Sequence, residues 1–327
     1  MKYPMLVLAG AAIVSLATTP VDAADEIVFG ISANPGSLQA VTAAEFTKRA
    51  NEKLGDTAEV VLFDGGQIGD DKELMQKLKI GSVHLALPSS IMSSIDGAFG
   101  IFDMPFIVAD RAHVARIEDA VFWSDVAPKA EERGYKVLAV WENGVRHITN
   151  NVRPINTPAD LDGIKLRTPK STWRVKMFEE WGANPTPMAF SEVFVALQTN
   201  VIDGQENPLT NIAAAKFQEV QKYLSMTGHV YSPAYPTAGA EAFAKLDPEI
   251  QTILEETARE VALFAREQGA ASDDALLEEL TAAGMEVNQA DRAAFVEASQ
   301  PIYDQFAAEV DNGQALIDAV LASADAS

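Results

Sequence analysis

Residues 58–87, AEVVLFDGGQIGDDKELMQKLKIGSVHLAL, contain the pattern that decides the fold class. The stretch opens on a buried-strand signal and passes through a glycine-rich loop. A helix then begins near Asp70 and ends at Gly81, with apolar side chains along one face. A second strand follows at 83–87. A strand, a helix and a strand in this order predict a mostly parallel sheet covered by helices.

The same alternation of strand and helix signals continues on both sides of this stretch. Residues 27–32 (IVFGIS) predict a buried strand, and the helix that follows should end at Gly55. Further short strands are predicted at 137–141 and 164–167. In such sheets ligands collect in the crevice at the carboxyl ends of the strands, so we expect a binding site there.

The length of the chain allows one large domain or two ordinary ones, since it has 327 residues. A helical stretch from 248 to about 269 carries an apolar stripe and is long enough to cross two lobes. No internal repeat or low-complexity segment is apparent. We therefore expect two domains.

The composition excludes several classes of function. Apolar residues make up 48% and charged residues 22%, which predicts a folded core rather than intrinsic disorder. With 47 acidic and 25 basic residues the net charge is −22, so nucleic acid is not an expected partner. A small anion remains possible because a few local groups can hold it. The chain has no cysteine, which excludes disulfides, thiolate catalysis, iron–sulfur clusters and cysteine zinc sites.

The N-terminus has the three parts of a secretory signal. Lys2 is followed by an apolar run at 5–16 and by a small-residue junction that ends at Ala23. The run is shorter than the roughly 20 residues that a membrane-spanning helix requires, which argues against an anchor. We expect cleavage after Ala23 and export of a soluble chain.

Signatures of catalysis are missing from the sequence. Its four histidines form no H-E-x-x-H motif, and it contains neither a G-x-S-x-G elbow nor a P-loop. The acidic loop at 64–71 lacks the spacing of an EF-hand and is interpreted as a turn and helix cap. A hydrolase with a carboxylate pair is the alternative, but no pair stands out. We predict no enzymatic activity, no cofactor and no metal site.

Several long motifs occur in a fixed order and together resemble one protein family. They resemble the solute-binding proteins of tripartite ATP-independent periplasmic (TRAP) transporters, the DctP family, over essentially the whole mature chain. The motifs are GQIGDDKELMQKLKIGSV (66–83), NGVRHITN (143–150), PADLDGIKLRTP (158–169), GANPTPMAFSE (182–192), ALQTNVIDGQENP (196–208) and KFQEVQKYL (216–224).

The resemblance implies an α/β fold of two lobes, the periplasmic-binding-protein fold, with hinge strands and one long helix spanning both lobes. It places a signal peptide at 1–23, lobe I at 24–143 plus 233–272, and lobe II at 144–232 plus 273–327. It also implies a mechanism in the periplasm. The lobes of a monomer close on a small organic anion and deliver it to the small and large subunits of a membrane permease driven by an ion gradient.

Arg167 is the strongest candidate for ligand contact. It lies at the end of a predicted strand, immediately before Thr168 and Pro169 interrupt the chain. A guanidinium there can donate two parallel hydrogen bonds to a carboxylate and stays charged at any relevant pH. The alternative from physics alone is a surface or interlobe salt bridge. The resemblance assigns Arg167 to the family's carboxylate-binding arginine.

The resemblance points to three further ligand contacts, each with a structural alternative. Asn207 either donates to the same carboxylate or caps the helix that begins near Pro208. Arg146 resembles a second ligand arginine, or it forms a structural ion pair. Phe190 resembles the aromatic floor of the site, although a phenylalanine is more often part of a core.

Other aromatic residues and two serines are weaker candidates. Trp173 belongs to a helix face whose simplest role is core packing, but its end lies nearest Arg167. Tyr235 could line the cleft, and so could Ser32 and Ser89 through their hydroxyls. Three further expectations concern Tyr231 as cleft lining, Trp141 in a hinge strand, and His147 and His229 as structural residues.

The stretch after the third strand bears on the substrate. Relatives that bind sialic acid carry an acidic residue where this chain has Ser89, so the contacts to that ligand are missing. Small hydroxyls favour a polyhydroxylated ligand, such as a hexuronate or another sugar acid. A C4-dicarboxylate, a keto acid or a sulfonate would suit the same arginines. A ligand-presenting partner of a sensor kinase would share the fold.

Overall fold

A computed structural model describes residues 25–324 of the chain. The strands in this part are β1 (Asp25–Gly30), β2 (Ala58–Phe63), β3 (Leu85–Ala86), β4 (Tyr135–Val137), β5 (Trp141–Asn150), β6 (Lys165–Thr168), β7 (Asn184–Pro187), β8 (Gly204–Pro208), β9 (Tyr223–Ala234), β10 (Thr237–Gly239) and β11 (Glu286–Gln289). They form a five-stranded sheet in the order β2-β1-β3-β10-β4 and a six-stranded sheet in the order β11-β9-β5-β8-β6-β7. The predicted signal peptide, residues 1–23, lies outside the described residues.

Helices cover both sheets. The α-helices are α1 (Leu38–Leu54), α2 (Asp71–Ile80), α3 (Met92–Ile95), α4 (Arg111–Ile117), α5 (Ala127–Glu132), α6 (Thr172–Glu180), α7 (Val193–Gln198), α8 (Leu209–Ala214), α9 (Ala240–Phe243), α10 (Pro248–Ala282), α11 (Arg292–Glu297), α12 (Gln300–Glu309) and α13 (Gly313–Ser323). Short 3₁₀ segments and one π-helical segment lie between them, at Gly97–Asp103, Glu118–Val126, Pro158–Leu161, Phe190–Glu192 and Phe217–Glu219. None of the helices within residues 25–324 is both long and apolar enough to cross a membrane.

Both sheets are mixed, whereas the sequence predicted mostly parallel pairing. β1 pairs in parallel with β2 and β3, but β10 inserts antiparallel between β3 and β4. In the second sheet β5 pairs antiparallel with both β8 and β9. The difference arises because the chain crosses between the sheets and returns, so the crossing strands run against their neighbours.

Two long strands and one long helix connect the sheets, which confirms the predicted fold class. β5 and β9 pair from Trp141 opposite Ala234 to Asn150 opposite Tyr223. α10 has 35 residues, a length of about 52 Å. It contacts α1 beside the first sheet and α8 beside the second. Trp141 starts β5, as expected of a hinge-strand residue, and its indole donates to the carbonyl of Ala258 in α10 at 2.7 Å.

α10 is longer than the predicted helix because Gly269 does not end it. The glycine lies inside the helix, where a Cβ would come within 2.4 Å of the carboxylate of Glu142. Glycine permits the helix backbone to pass close to β5 at this point. The glycine is therefore a packing residue rather than a helix terminator.

Several other predicted ends of helices and strands agree with the structure. β2 has the predicted bounds, and α1 ends at Leu54 with Gly55 as its C-cap. Asp70 caps α2 in a reciprocal arrangement with Glu73. Gly81 ends that helix in the left-handed conformation, with φ of 72°. The strand predicted at 137–141 is instead split, because β4 ends at Val137 and β5 begins at Trp141.

The C-terminal helices pack on both parts of the molecule. In α12 the ring of Phe306 lies against Trp173 of α6, with ring centroids 5.1 Å apart. In α13 the carbonyl of Val320 lies 2.9 Å from Nε2 of His113 in α4. The predicted lobe boundaries, 24–143 plus 233–272 and 144–232 plus 273–327, remain a prediction.

Candidate functional site

A cleft between the two sheets contains six of the eight residues expected to contact ligand. The ends of β1 and β3 and the start of α2 form one wall, and β5, β6 and β8 form the other. The six residues that line it are Ser32, Ser89, Arg146, Arg167, Phe190 and Asn207.

Arg167 lies on β6 and is almost fully buried, with 3% of its surface exposed. Its Nη2 and Nε donate to the carbonyl of Met188 at 2.8 and 3.2 Å, which fixes the plane of the guanidinium. Within residues 25–324 it has no ion-pair partner. The salt bridge considered as an alternative is therefore not formed in the described structure.

The charge on Arg167 persists despite its burial. Loss of hydration lowers the pKa of its guanidinium to about 10, although the charge of Glu206 acts in the opposite direction. The group is still cationic at neutral pH. A cation that is buried without a partner carries an unmet cost, which an anion in the cleft can remove.

Phe190 forms the floor beneath this arginine. The guanidinium carbon of Arg167 lies 5.8 Å from the centre of the Phe190 ring, within the range of a cation–π contact. The ring also packs edge-on against Phe217, with centroids 5.9 Å apart. The side chain is half-buried and lines the cleft while joining the core beneath it.

Arg146 forms the ion pair that was considered as its structural alternative, and it also faces the cleft. It lines the cleft from β5, and its Nε donates to the carboxylate of Glu206. Its Nη2 donates to Oε1 of Glu206 at 2.9 Å and to Oδ1 of Asn207 at 3.1 Å. The ion pair is thus present, and contact with a ligand remains a prediction.

A buried ionic network extends from Glu206 away from the cleft. Arg174 on α6 donates to Glu206 at 3.0 Å and to Asp103 at 2.7 Å. Burial would raise the pKa of Glu206, but Arg146 and Arg174 outweigh it and hold that pKa well below its usual range. Neither Glu206, Arg174 nor Asp103 was identified from the sequence.

His229 completes the surroundings of Glu206. Its Nε2 lies 3.2 Å from the Glu206 carboxylate, and its Nδ1 lies 2.7 Å from the hydroxyl of Thr227. Burial lowers the pKa of His229 to about 4, so the ring is neutral at pH 7. His147 accepts a hydrogen bond from the amide of Gly228 at 3.1 Å. Burial likewise lowers the pKa of His147, to about 3.

Asn207 is held by side chains of β5, β8 and α8, and it does not cap a helix. Its Nδ2 donates to Oε1 of Gln205 at 2.5 Å, and its Oδ1 accepts from Arg146 and from Asn211. α8 begins after Pro208 without a side-chain cap. The amide therefore faces the cleft as part of a polar cluster.

The wall formed by the first sheet carries hydroxyl and carboxylate groups. Ser32 donates to Oδ1 of Asp71 at 2.5 Å. Ser89 donates to the carbonyl of Pro233 at 2.6 Å and accepts from Asn143 at 3.4 Å. Burial and the charge of Asp70 raise the pKa of Asp71. From the sequence Asp71 was interpreted only as part of the turn and helix cap at 64–71, and in the structure Asp70 supplies that cap.

The two remaining candidates lie away from the cleft. Trp173 is buried against Phe306 and fits over Gly100, so it packs between helices. The ring of Tyr235 stacks parallel to Phe122, with centroids 5.6 Å apart. Tyr235 lines a smaller neighbouring cavity together with Ser89. Bulky aromatic rings near an apolar core pack there first, which explains both positions.

Tyr231 also lies outside the cleft lining. Its hydroxyl donates to the carboxylate of Glu142 at 3.2 Å, in the region where Arg111 binds the same carboxylate. The expectation that it lines the cleft is wrong for this structure.

Several polar residues of the cleft escaped the sequence interpretation. Lys170 follows the strand of Arg167 and pairs with Asp70 at 3.0 Å across the mouth of the cleft. Gln39, Asn143 and Asn211 contribute amides to the lining. Polar residues of this kind occur throughout any surface, so only their position in the fold identifies them.

The arrangement is suited to holding an organic anion. It combines a buried cation, an aromatic floor, and amide and hydroxyl groups that donate hydrogen bonds. Within residues 25–324 no group of three or more His, Asp or Glu side chains is placed to hold a metal ion.

Comparison with known proteins yields a family and close structural neighbours. The model of the bacterial extracellular solute-binding protein family 7 matches residues 29–309. The 2,3-diketo-L-gulonate-binding periplasmic protein of Escherichia coli is 34% identical over 301 residues, which cover 91% of this chain and 92% of that protein.

Two solved structures share the fold in detail. The sugar acid binding protein of Advenella mimigardefordensis, in complex with galactonate, has a TM-score of 0.87 at 29% identity, covering 92% of this chain and 99% of that one. A TRAP periplasmic solute binding protein from Sulfurospirillum deleyianum, with bound succinate, has a TM-score of 0.87 at 30% identity, covering 92% and 99%.

These proteins bind solutes and are not enzymes, and members of the family are periplasmic and work with TRAP permeases. The expectation from the sequence motifs is therefore confirmed. This chain belongs to the DctP family, family 7 of the bacterial extracellular solute-binding proteins of TRAP transporters.

Proposed function

We propose that this protein captures a sugar acid or a related hydroxylated organic acid in the cleft between its sheets. The single observation that carries the proposal is the buried guanidinium of Arg167, which lines the cleft without an ion-pair partner in the described chain. The carboxylate of the ligand would accept from Arg167 and from the amide of Asn207. Arg146 would face it from the neighbouring strand, and Phe190 would pack beneath it.

The polar lining of the cleft supports an organic acid that carries hydroxyl groups over one that has none. Ser32, Ser89 and Asn143 offer hydroxyl and amide groups in the same cleft. The relatives described above that bind 2,3-diketo-L-gulonate and galactonate point the same way, and the succinate-bound neighbour keeps C4-dicarboxylates as the competing candidate.

A thermal-shift panel of organic acids tests the proposal. It should contain hexonates, hexuronates, C4-dicarboxylates, keto acids and sulfonates. A ligand at a hundred times its dissociation constant stabilises a fold by about 2.7 kcal/mol, which is a measurable shift. We expect sugar acids to give the largest shifts and Arg167→Ala to abolish them. If no acid shifts the wild type, or if Arg167→Ala keeps the shift, the proposal is wrong.

We propose further that residues 1–23 direct export and that the loaded monomer delivers its ligand to the small and large subunits of a TRAP permease. The three-part pattern of the N-terminus supports export. The alternative is presentation of the ligand to a sensor kinase. A permease gene next to the gene for this protein favours delivery, whereas a kinase gene there favours sensing.

A further inference from the structure

The cationic side chains at the cleft are mostly neutralised by the protein itself. Arg146 and Arg174 share Glu206, and Arg174 also binds Asp103 at 2.7 Å. Two positive and two negative groups therefore balance in this buried network. At the mouth Lys170 is paired with Asp70 at 3.0 Å, and Lys72 is exposed to solvent.

Arg167 is consequently the one buried cation of the described cleft whose charge has no partner within ion-pair distance. Its hydrogen bonds go to the neutral carbonyl of Met188. The charge of Asp71, on the opposite wall, acts on Arg167 from beyond ion-pair distance. The guanidinium of Arg167 can thus pair directly with one negative charge on a ligand. A second negative charge would have to find its counter-ion elsewhere.

The opposite wall carries a negative group instead. Asp71, at the start of α2, lines the same cleft and accepts from the hydroxyl of Ser32 at 2.5 Å. No described cation lies within ion-pair distance of its carboxylate. A carboxylate at this place accepts hydrogen bonds from ligand hydroxyls and repels a second ligand carboxylate.

We propose that the cleft selects singly charged hydroxy acids and rejects dianions, and that Asp71 is the residue that discriminates between them. The inference rests on the proposed function and narrows its substrate class. The carboxylate of the ligand lies at Arg167, and its hydroxylated chain extends towards Asp71 and Ser32. A terminal second carboxylate would meet Asp71.

A matched pair of ligands tests the inference without any variant. Galactonate and galactarate share a six-carbon chain and the configuration of four hydroxyls, and galactarate has a second terminal carboxylate. Calorimetry on the wild-type protein at neutral pH should show galactonate binding about ten-fold more tightly or better, the scale of a like-charge repulsion in a half-buried site. Erythronate with tartrate, and butyrate with succinate, extend the comparison to four carbons.

Two substitutions then assign the effect. Asp71→Asn keeps the shape and removes the charge, so the preference for the monoacid should shrink several-fold. Ser32→Ala is the matched control, because it removes the hydroxyl that binds Asp71 and leaves the charge in place. It should weaken the binding of galactonate and of galactarate by the same factor, and so leave the ratio of their dissociation constants unchanged.

The outcomes separate this inference from the proposed function. If the tightest ligand is a dicarboxylate, or if each diacid binds as well as its monoacid, selection by charge is overturned. An unchanged ratio in Asp71→Asn overturns the role of that residue. If no organic acid binds at all, the proposed function fails, and this inference falls with it.

Discussion

Arg146 and Arg167 lie in one cleft and are equally buried, at 2% and 3% exposure, yet their surroundings are opposite. Arg146 belongs to a network in which Glu206 shares its carboxylate with Arg174 and faces His229. Arg167 contacts a backbone carbonyl and an aromatic ring, and none of the ion pairs among residues 25–324 includes it. Arg146 is held in place by an ion pair, whereas Arg167 is oriented by a hydrogen bond and has no counter-ion in the part of the chain that the structure describes.

The contrast separates stability from binding. Removing a member of a buried network of paired charges leaves a charge stranded and should destabilise the fold. Removing a cation that has no partner takes away a cost of the unliganded protein and a contact of the liganded one. The two regions should therefore respond to mutation in different assays.

The largest effect is expected from Arg174→Met. This change strands the buried carboxylate of Asp103 and halves the compensation of Glu206. We expect a loss of about 3–5 kcal/mol in the free energy of unfolding, measured by urea denaturation. Lys176→Met on the same helix is the control, since Lys176 pairs with Glu309 near the surface and should cost at most about 1 kcal/mol. Equal effects of the two changes would contradict the description of the network.

The next effect concerns binding at Arg167. Arg167→Ala should weaken the binding of a carboxylate ligand by about 2–5 kcal/mol, measured by calorimetry, because the ligand charge then lacks its partner. The free energy of unfolding of the unliganded protein should stay the same or rise. Arg167→Lys should restore only part of the affinity, because an ammonium cannot form the planar two-bond contact.

Arg146→Ala provides the comparison for this experiment. It removes a partner of Glu206 and should lower the free energy of unfolding in urea. A stable Arg146→Ala and an unstable Arg167→Ala would reverse the assignment of the two arginines.

The smallest effect is a pH dependence of stability that arises from the buried histidines His147 and His229. Burial lowers the pKa of His229 to about 4 and that of His147 to about 3, against about 6.5 in the unfolded chain. The unfolded state therefore binds more protons below pH 6.5, and stability falls as the pH drops towards 4. Each histidine should lower the free energy of unfolding by about 1–2 kcal/mol between pH 7 and pH 5, measured by urea titration. His147→Gln should remove its share, and a flat profile for the wild type would contradict the burial of both rings.

The parts of the fold that depend on local chemistry could be predicted from the sequence. Asp70 marks the start of α2 and Gly81 marks its end, each through groups a few residues away. The neighbouring residues in the sequence therefore suffice to predict both ends of the helix. β5 gave no such signal, because buried polar residues such as Asn143 and Arg146 disrupt its apolar pattern. Arg146 finds its partner Glu206 on β8, 60 residues later, and Asn143 finds Asn211 on α8, 68 residues later.

The candidate site could be predicted only in part, for the same reason. Arg167 lies at the end of a predicted strand, two residues before Pro169, so the sequence alone could point to it as a ligand contact. Arg174 was missed because its neighbours on α6 repeat as an apolar face and a charged residue between them looks solvated. Its partner Asp103 is 71 residues away, so only the folded chain brings them together.

The position of β10 in the first sheet has a consequence for how the chain can assemble. β10 lies between β3 and β4, although it follows both of them by about a hundred residues or more. A nascent chain that ends before Thr237 leaves facing edges of β3 and β4 with unpaired backbone groups. The strand that completes the first sheet is therefore encoded after every strand of the second sheet except β11. A chain that ends before Thr237 therefore lacks the strand that joins β3 to β4 in the first sheet.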